Sequence, residues 1–286
     1  MPSTTSLRAV ALLTLGLAGL PAHASLPADP LYAFGADDYG LGNVFTRLGG
    51  SSSAVGDGSL AFNGGLTWGG GNFYAIGNDS LGNSWLTSFG AGAPSSISTP
   101  IALGSGFTGG LAASTGGLYA IGFDGVGAST LYSVGAGGAS AVGSLGAGYY
   151  SGLTWGGGAF YAIGSDDLGI ARRVTRIDLG GGTPTATTLF DLGDGSLAFN
   201  GGLAWDAAHG RFLVIGNDGV GPSALYSFAG SGAASLANLG GIGNGFYNAG
   251  LALAAPVPEP GALLLVLAGL PAVAFAVSRR RARREG

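Results

Sequence analysis

Short runs of alternating apolar and polar residues, separated by glycine and asparagine, fill most of the chain between residues 25 and 254. The runs are rich in aromatic and β-branched residues, which is typical of strands joined by hairpins and not of helices. The stretch GDGSLAFNGGL occurs twice without change, at residues 56–66 and 193–203. The pattern therefore predicts an all-β domain built from repeats.

Two motifs recur five times each and give the length of the repeat. The first motif is Gly-Leu-x-Trp or a weaker version of it, with its leucines at Leu66, Leu111, Leu153, Leu203 and Leu251. The second motif is Tyr-Ala-Ile-Gly-x-Asp or a variant of it, at residues 32–37, 74–79, 119–124, 161–166 and 213–218. Each unit of 42 to 52 residues also holds two further apolar runs. Four antiparallel strands in this length are the size of a β-propeller blade.

The order of the motifs predicts that the repeats close into a ring. The repeat region begins with the second motif, near Leu31, and ends with the first, near Leu253. The last strand can then pair beside the first one and complete five blades, which leaves no long exposed strand edge. An open β-solenoid is the alternative, and it would not need the terminal strands to meet.

The N-terminal residues 1–24 have the features of a secretory signal peptide. Arg8 precedes an apolar stretch, residues 9–20, and Pro21 ends it. Ala22 and Ala24 then give the small-x-small form that signal peptidase cuts, so we expect passage through the Sec translocon and a mature chain that begins at Ser25. An uncleaved anchor is the alternative, but the apolar stretch is short for a bilayer.

The C-terminal residues are apolar from 261 to 277, close to the length of about 20 that a spanning helix needs. Five arginines follow at once, and positive charge beside a spanning helix keeps that side in the cytoplasm. The pattern predicts a transmembrane helix at residues 261–278 and an arginine-rich cytoplasmic tail at 279–286. The repeat domain, residues 25–254, would then lie in the periplasm.

The residues before this helix make the C-terminus more specific. Val257-Pro258-Glu259-Pro260, an apolar helix and a terminal arginine cluster together resemble the PEP-CTERM sorting signal, over residues 255–286. The resemblance implies a Gram-negative bacterium, anchoring in the inner membrane, and cleavage at the motif by exosortase, a membrane protease. It also implies delivery to the cell surface or the extracellular matrix, and an association with exopolysaccharide and biofilm. The prolines suit such cleavage because they keep the segment extended.

Composition excludes several classes of function. Charged residues make up 9% of the chain, and neither lysine nor cysteine occurs. Residues 25–256 hold five arginines and thirteen aspartates, a formal charge of −8, which repels nucleic acid. The absence of cysteine excludes disulfides, thiol catalysis and cysteine-ligated metals. His209 is the single histidine of the repeat domain and lies in a predicted turn, so a Ser-His-Asp set or a histidine metal site is not expected.

An aspartate follows each copy of the second motif. The simplest interpretation is that each carboxylate bonds the backbone of its own turn. Calcium binding by these loops is a second hypothesis, and an acid/base pair of the glycosidase kind is a third. The residues concerned are Asp37, Asp79, Asp124, Asp166 and Asp218.

An aromatic residue stands four positions before each leucine of the first motif, usually with a polar neighbour. In a propeller the loops that hold them share one face, and aromatic rings with amides beside them suit sugars. The alternative is that these rings fill gaps between blades. The glycan-binding hypothesis names Phe62 and Asn63, Phe107, Tyr149 and Tyr150, Phe199 and Asn200, and Tyr247 and Asn248. The tryptophans of the first motif, Trp68, Trp155 and Trp205, are expected in the core.

Together these patterns predict an exported surface or matrix protein with a non-catalytic repeat domain and no cofactor. Its role would be structural or glycan-binding, with exopolysaccharide as the ligand. One alternative is an aspartate-dependent enzyme that acts on extracellular polysaccharide. The other is a calcium-stabilised scaffold for protein partners.

Overall fold

The computed structural model describes residues 26–35, 44–62, 65–107, 110–125, 127–165, 171–230, 232, 235–246 and 250–254. Within these ranges the chain forms twenty strands and one short 3₁₀ helix, Gly180–Gly182. The strands are β1 (Leu31–Gly35), β2 (Val44–Arg47), β3 (Ser52–Ala54), β4 (Leu66–Gly69), β5 (Asn72–Asn78), β6 (Asn83–Phe89), β7 (Ile101–Ser105), β8 (Leu111–Ser114), β9 (Gly117–Phe123), β10 (Ala128–Gly135), β11 (Gly138–Ala147), β12 (Tyr149–Gly156), β13 (Ala159–Ser165), β14 (Ala171–Asp178), β15 (Thr185–Asp191), β16 (Leu203–Asp206), β17 (Arg211–Gly216), β18 (Ser223–Ala229), β19 (Ala237–Gly243) and β20 (Leu251–Leu253).

The strands form five four-stranded antiparallel sheets, which are the blades. Blade 1 has the order β20-β1-β2-β3, and blades 2 to 5 follow in chain order as β4 to β7, β8 to β11, β12 to β15 and β16 to β19. We call the strands of each blade A to D. The A strands, β20, β4, β8, β12 and β16, touch one another around the axis, so they are innermost. The domain is a five-bladed β-propeller, and the predicted strand order and blade number are confirmed.

The ring closes where the two ends of the described chain meet. β20 pairs antiparallel with β1, with Leu31 opposite Leu253 and Ala33 opposite Leu251. The N–H of Ala254 also donates to the carbonyl oxygen of Pro30, at 3.0 Å. The open solenoid is therefore wrong, because the terminal strands share one sheet.

The hydrophobic core consists of five clusters, one between each pair of neighbouring blades. The B strands explain why the second motif is apolar at consecutive positions. In β5, Phe73 and Ala75 pack towards blade 1, whereas Ile76 packs towards blade 3. A strand buried on both faces has a continuous apolar sequence, and burial of a large side chain such as Phe73 or Ile76 stabilises the fold by about 1.5–3 kcal/mol.

The glycine of the first motif lets the A strands approach one another. A Cβ on Gly110 would overlap the backbone nitrogen of Leu153 in the next blade, and one on Gly202 would overlap that of Leu251. At Gly152 the corresponding atom would lie 3.1 Å from the nitrogen of Leu203. Equivalent residues therefore meet around the axis, so all five A strands run in the same direction.

This shared direction gives the ring two distinct faces. The A–B face carries the turns between strands A and B, such as residues 70–71, 157–158 and 207–210. The B–C face carries the loops between strands B and C, and the segments that lead from strand D into the next blade. Both ends of the described chain, near Pro30 and Ala254, lie on the A–B face.

Over the ranges given above, the structure contains no helix long and apolar enough to cross a bilayer. The helix predicted at residues 261–278 falls outside those ranges, as do the signal peptide and the sorting motif.

The close approach of the A strands leads to a first prediction. Gly110→Ala should lower the free energy of unfolding by about 3 kcal/mol or prevent folding, because the backbone of blade 4 must move to admit a methyl group. Denaturant unfolding measures the change. Gly90→Ala is the matched control, since a Cβ there meets nothing within 4 Å. Equal stability of the two variants would contradict the proposed role of Gly110.

Candidate functional site

Asp79, which follows strand β5, is fully engaged by its own loop. Its Oδ1 accepts the backbone N–H groups of Leu81 and Asn83, both at 2.9 Å. Its Oδ2 accepts the side-chain amide of Asn83 and the indole N–H of Trp85, both at 3.0 Å. The side-chain hydrogen bond from Asn83 is the largest cause that holds the pKa of Asp79 at about 2, below its ordinary 3.8. Such a carboxylate is a poor general acid or base near neutral pH.

Two other aspartates of the series bond their own turns in the same way. Oδ1 of Asp124 accepts the N–H groups of Gly127 and Ala128, both at 3.1 Å. Oδ1 of Asp218 accepts those of Val220, at 3.0 Å, and Gly221, at 2.7 Å. The bond from Gly221 is the main cause that lowers the pKa of Asp218. The turn-shaping interpretation is therefore confirmed at these sites.

The calcium and acid/base hypotheses gain nothing from this geometry. Asp79, Asp124 and Asp218 belong to three different blades, and Asp37 and Asp166 lie outside the described residues. Among the residues that are described, no three carboxylate or imidazole side chains come together as a metal-binding group.

The duplicated stretch of eleven residues builds the same local structure twice. Asp57 and Asp194 each accept the N–H of the serine two residues later, at 2.9 Å. The serine bonds are also the main cause that lowers the pKa of both aspartates. Each segment then bridges the end of its blade's B strand, at Asn78 and at Asn217. These aspartates therefore shape the entry into strand A.

Four of the six aromatic residues of the glycan-binding hypothesis are packed inside the blades. Phe62 and Phe199 are 1% and 0% exposed, and Phe107 and Tyr150 are also buried. Their rings are thus closed to a sugar, because stacking needs an open ring face. The alternative interpretation, that the rings fill gaps, describes them correctly. Burial also raises the pKa of the Tyr150 hydroxyl.

Each of these rings covers the glycine of the second motif in its own blade. A Cβ on Gly77 would lie 2.9 Å from the ring of Phe62, and one on Gly216 would lie 2.9 Å from that of Phe199. Gly122 faces Phe107 in the same way. The two recurrent motifs therefore form one packing unit, which their separate positions in the sequence did not reveal.

Two blades use a different residue from the one predicted. In blade 4 the ring against Gly164 belongs to Tyr150, while Tyr149 packs edge-on against Phe123 with ring centres 5.7 Å apart. In blade 1 the ring against Gly35 belongs to Phe246. Asn200 is half-buried, and Asn63, Tyr247 and Asn248 lie outside the described residues. The predicted ring of aromatic-amide pairs is thus not assembled by the residues that the structure shows.

The tryptophans lie at the A–B end of the central channel instead of deep in the core. Trp68, Trp155 and Trp205 are half-buried and line a cavity of about 100 Å³. Each indole packs on a phenylalanine of its own B strand, with ring centres 4.6 or 4.7 Å apart. A volume of about 100 Å³ has room for a few water molecules and is smaller than an ordinary ligand pocket.

His209 is held by a buried carboxylate in the turn between β16 and β17. Its Nδ1 lies 2.8 Å from Oδ2 of Asp206, and Nε of Arg211 donates to the same oxygen at 3.0 Å. Asp206 is 1% exposed, so the arginine compensates the cost of burying its charge. The predicted turn is present, but His209 is an anchor of it and not a freely solvated side chain.

Comparisons with known proteins add a likeness in fold. No protein-family model matches the chain, and no curated relative matches it. Similar solved structures include TolB from Acinetobacter baumannii, at 9% identity and a TM-score of 0.49 over 78% of this chain and 66% of that one. GH43B of a Bacteroides ovatus xyloglucan locus has 14% identity and a TM-score of 0.47 over 84% of this chain and 58% of that one. A putative 6-phosphogluconolactonase from Bacteroides uniformis has 13% identity and a TM-score of 0.42 over 75% of this chain and 68% of that one. The chain thus spans about two thirds or less of the first two, and at these identities none of them assigns an activity.

The network around Asp79 predicts a specific response to acid. Because the pKa of the folded state, about 2, lies below the unfolded value of 3.8, the carboxylate's contribution to stability is complete above about pH 4 and is lost as the pH falls towards 2. Trp85→Phe removes one donor and keeps an aromatic ring, so it should raise the pKa of Asp79. Carboxyl NMR titration measures this, and an unchanged pKa in the variant would contradict it.

The burial of Phe199 predicts a defect in folding. Phe199→Ala should lower the free energy of unfolding by about 3–5 kcal/mol, since it leaves a cavity over Gly216. Asn200→Ala, at the half-buried neighbouring position, is the control and should cost much less. Denaturant midpoints of the two variants measure the difference, and equal midpoints would contradict a packing role for Phe199.

Proposed function

We propose that this chain is an exported bacterial protein of the cell surface or extracellular matrix, with a propeller that serves as a non-catalytic structural platform. Signal peptidase removes residues 1–24 after passage through the Sec translocon, and the apolar segment at 261–278 holds the chain in the inner membrane. By its resemblance to the PEP-CTERM signal, exosortase then cleaves at Pro258-Glu259-Pro260 and releases the domain for delivery outward.

The observation that carries the non-catalytic role is that the fold itself binds the recurrent aspartates that the structure describes. The described carboxylates after strand B are bound to their own loops, as the five contacts of Asp79 illustrate. A glycosidase needs two carboxylates across one bond with their pKa values set apart. The shifts resolved for Asp57, Asp79, Asp194 and Asp218 all go downward, which suits structural acceptors and not a general acid.

The position of the chain ends supports the anchoring part of the proposal. The described chain ends at Ala254, beside Pro30, on the A–B face of a closed ring. Only six residues separate Ala254 from the start of the apolar segment at 261, and an extended chain of that length reaches about 20 Å. Anchoring in this way would hold the A–B face near the membrane and leave the B–C face turned away from it.

Exopolysaccharide is proposed as a partner of this protein only because of the resemblance to the PEP-CTERM signal. Four of the rings that were expected to bind it, Phe62, Phe107, Tyr150 and Phe199, are buried, so the structural role is the better supported of the two. The enzymatic and calcium-scaffold alternatives have no observation in their favour.

Replacement of Pro258, Glu259 and Pro260 by alanine tests the proposal. We expect the variant to accumulate as a longer, membrane-bound form, because the protease loses both its recognition residues and the extended backbone. Cell fractionation followed by immunoblotting of both forms measures this.

Pro256→Ala, just outside the motif, is the matched control and should be processed like the parent chain. Unchanged processing of the triple variant would refute the sorting proposal. Hydrolysis of a polysaccharide by the purified chain, lost in an Asp→Asn variant, would refute the non-catalytic role.

A further inference from the structure

Two strongly exposed apolar side chains occupy the same place in different blades. Leu81 is 84% exposed and Val220 is 97% exposed, and each lies at the tip of the loop between strands B and C. The backbone N–H of each donates to the aspartate two residues before it, Asp79 or Asp218. The loop therefore holds the tip in a defined position while its side chain points into solvent.

The order of residue types in these two loops recurs in the sequence after every B strand. Each loop reads Asp, any residue, an apolar or aromatic residue, and glycine. In the loop of Leu81 the turn uses Asp79 as acceptor and Gly82 at a φ of 81°, and in the loop of Val220 it uses Asp218 and Gly219, also at 81°. A side chain in solvent at the third position contributes nothing to either turn. The third residues are Tyr39, Leu81, Val126, Leu168 and Val220, of which Tyr39, Val126 and Leu168 lie outside the described residues.

The face that carries these tips is also the acidic face of the ring. Among the described residues it holds six aspartates and two arginines, a formal charge of −4. Among the described residues, the A–B face holds three aspartates and three arginines, a formal charge of zero. The members on the B–C face are Asp57, Asp79, Asp124, Asp191, Asp194, Asp218, Arg172 and Arg173, and those on the A–B face are Asp29, Asp178, Asp206, Arg47, Arg176 and Arg211.

The two arginines do not offset this charge over the whole face. Both belong to blade 4, where Arg172 pairs with Asp191 at 3.3 Å and Arg173 lies 3.9 Å from the same carboxylate. The field around Leu81 and Val220, in blades 2 and 5, is therefore set by aspartates. Leu81 and Val220 are apolar side chains that the described fold leaves in solvent at equivalent loop positions, and their acidic surroundings favour a basic partner.

We propose that the B–C face is a docking surface for a protein partner that presents basic and apolar side chains together. Leu81 and Val220 enter the partner's apolar surface, and the described aspartates of this face attract its lysines or arginines. A lipid surface fits less well, because bacterial membranes expose anionic headgroups that an acidic face repels. This inference does not depend on the sorting signal, since both the tips and the charges lie in the propeller.

Binding of a model partner to the purified full-length chain tests the proposal. The probe is a fluorescent helical peptide of about five turns, with leucines on one face and lysines on the other, followed by anisotropy. We expect Leu81→Ser with Val220→Ser to weaken binding about a hundredfold, since burial of each tip accounts for about tenfold or more. Both sites are exposed, so the variant should melt like the parent chain.

Matched variants separate the apolar contribution from the electrostatic one. Leu26→Ser removes a 63%-exposed leucine that precedes β1 on the A–B face and should leave the affinity unchanged. Asp57→Asn with Asp194→Asn removes charge from the B–C face but keeps an oxygen for each turn, so it should weaken binding and flatten its salt dependence. Asp29→Asn on the A–B face is its control.

Three results would overturn the proposal. The first is equal affinity of the parent chain and the Leu81, Val220 double variant for the leucine-lysine peptide. The second is equal binding of a matched leucine-glutamate peptide. The third is binding of phosphatidylcholine vesicles that the double variant loses, in the absence of peptide binding, which would make the tips a lipid-insertion surface.

Discussion

The close approach of the five innermost strands is the constraint on which the rest of the propeller depends. At Gly110 and Gly202 the next blade's backbone occupies the space where a Cβ would lie, so the ring has no room for any other residue there. The leucine after each glycine then turns into a blade interface and is buried. One glycine-leucine step therefore sets both the width of the channel and the first layer of the core.

A second glycine position links this axis to the body of each blade. The glycine of Tyr-Ala-Ile-Gly lies under the aromatic ring that enters from the segment before strand A, as Gly77 lies under Phe62. This contact fastens the innermost strand to the second one beyond their hydrogen bonds. It also explains why a chain with 60 glycines keeps a defined core: at these positions glycine makes room for a neighbour and is not a spacer.

Blade number, strand order and closure could be predicted because they follow from the order of motifs along the chain. The exact contacts could not, because they depend on register. A shift in strand pairing between Tyr150 and Gly152 moves the covering ring one residue along, so counting back from the leucine points to Tyr149. The burial of these rings could not be predicted for a related reason. An aromatic residue four positions before the leucine is compatible with a binding surface and with a blade interface. The contact with a glycine of the second motif, which places the ring inside the blade, is visible only in the structure.

These contacts separate the residues that stabilise the fold from those that do not. The described aspartates after strand B accept hydrogen bonds from their own turns, and the buried rings pack against glycines of the second motif. The exposed third position of the B–C loop is the repeated feature that no contact in the described structure explains, and Leu81 and Val220 occupy it with apolar side chains. Because the described chain begins near Pro30 and ends at Ala254 on the opposite face, attachment there would not obstruct this position. If the chain is anchored as proposed, the A–B face lies towards the membrane and the B–C face is left open to a partner.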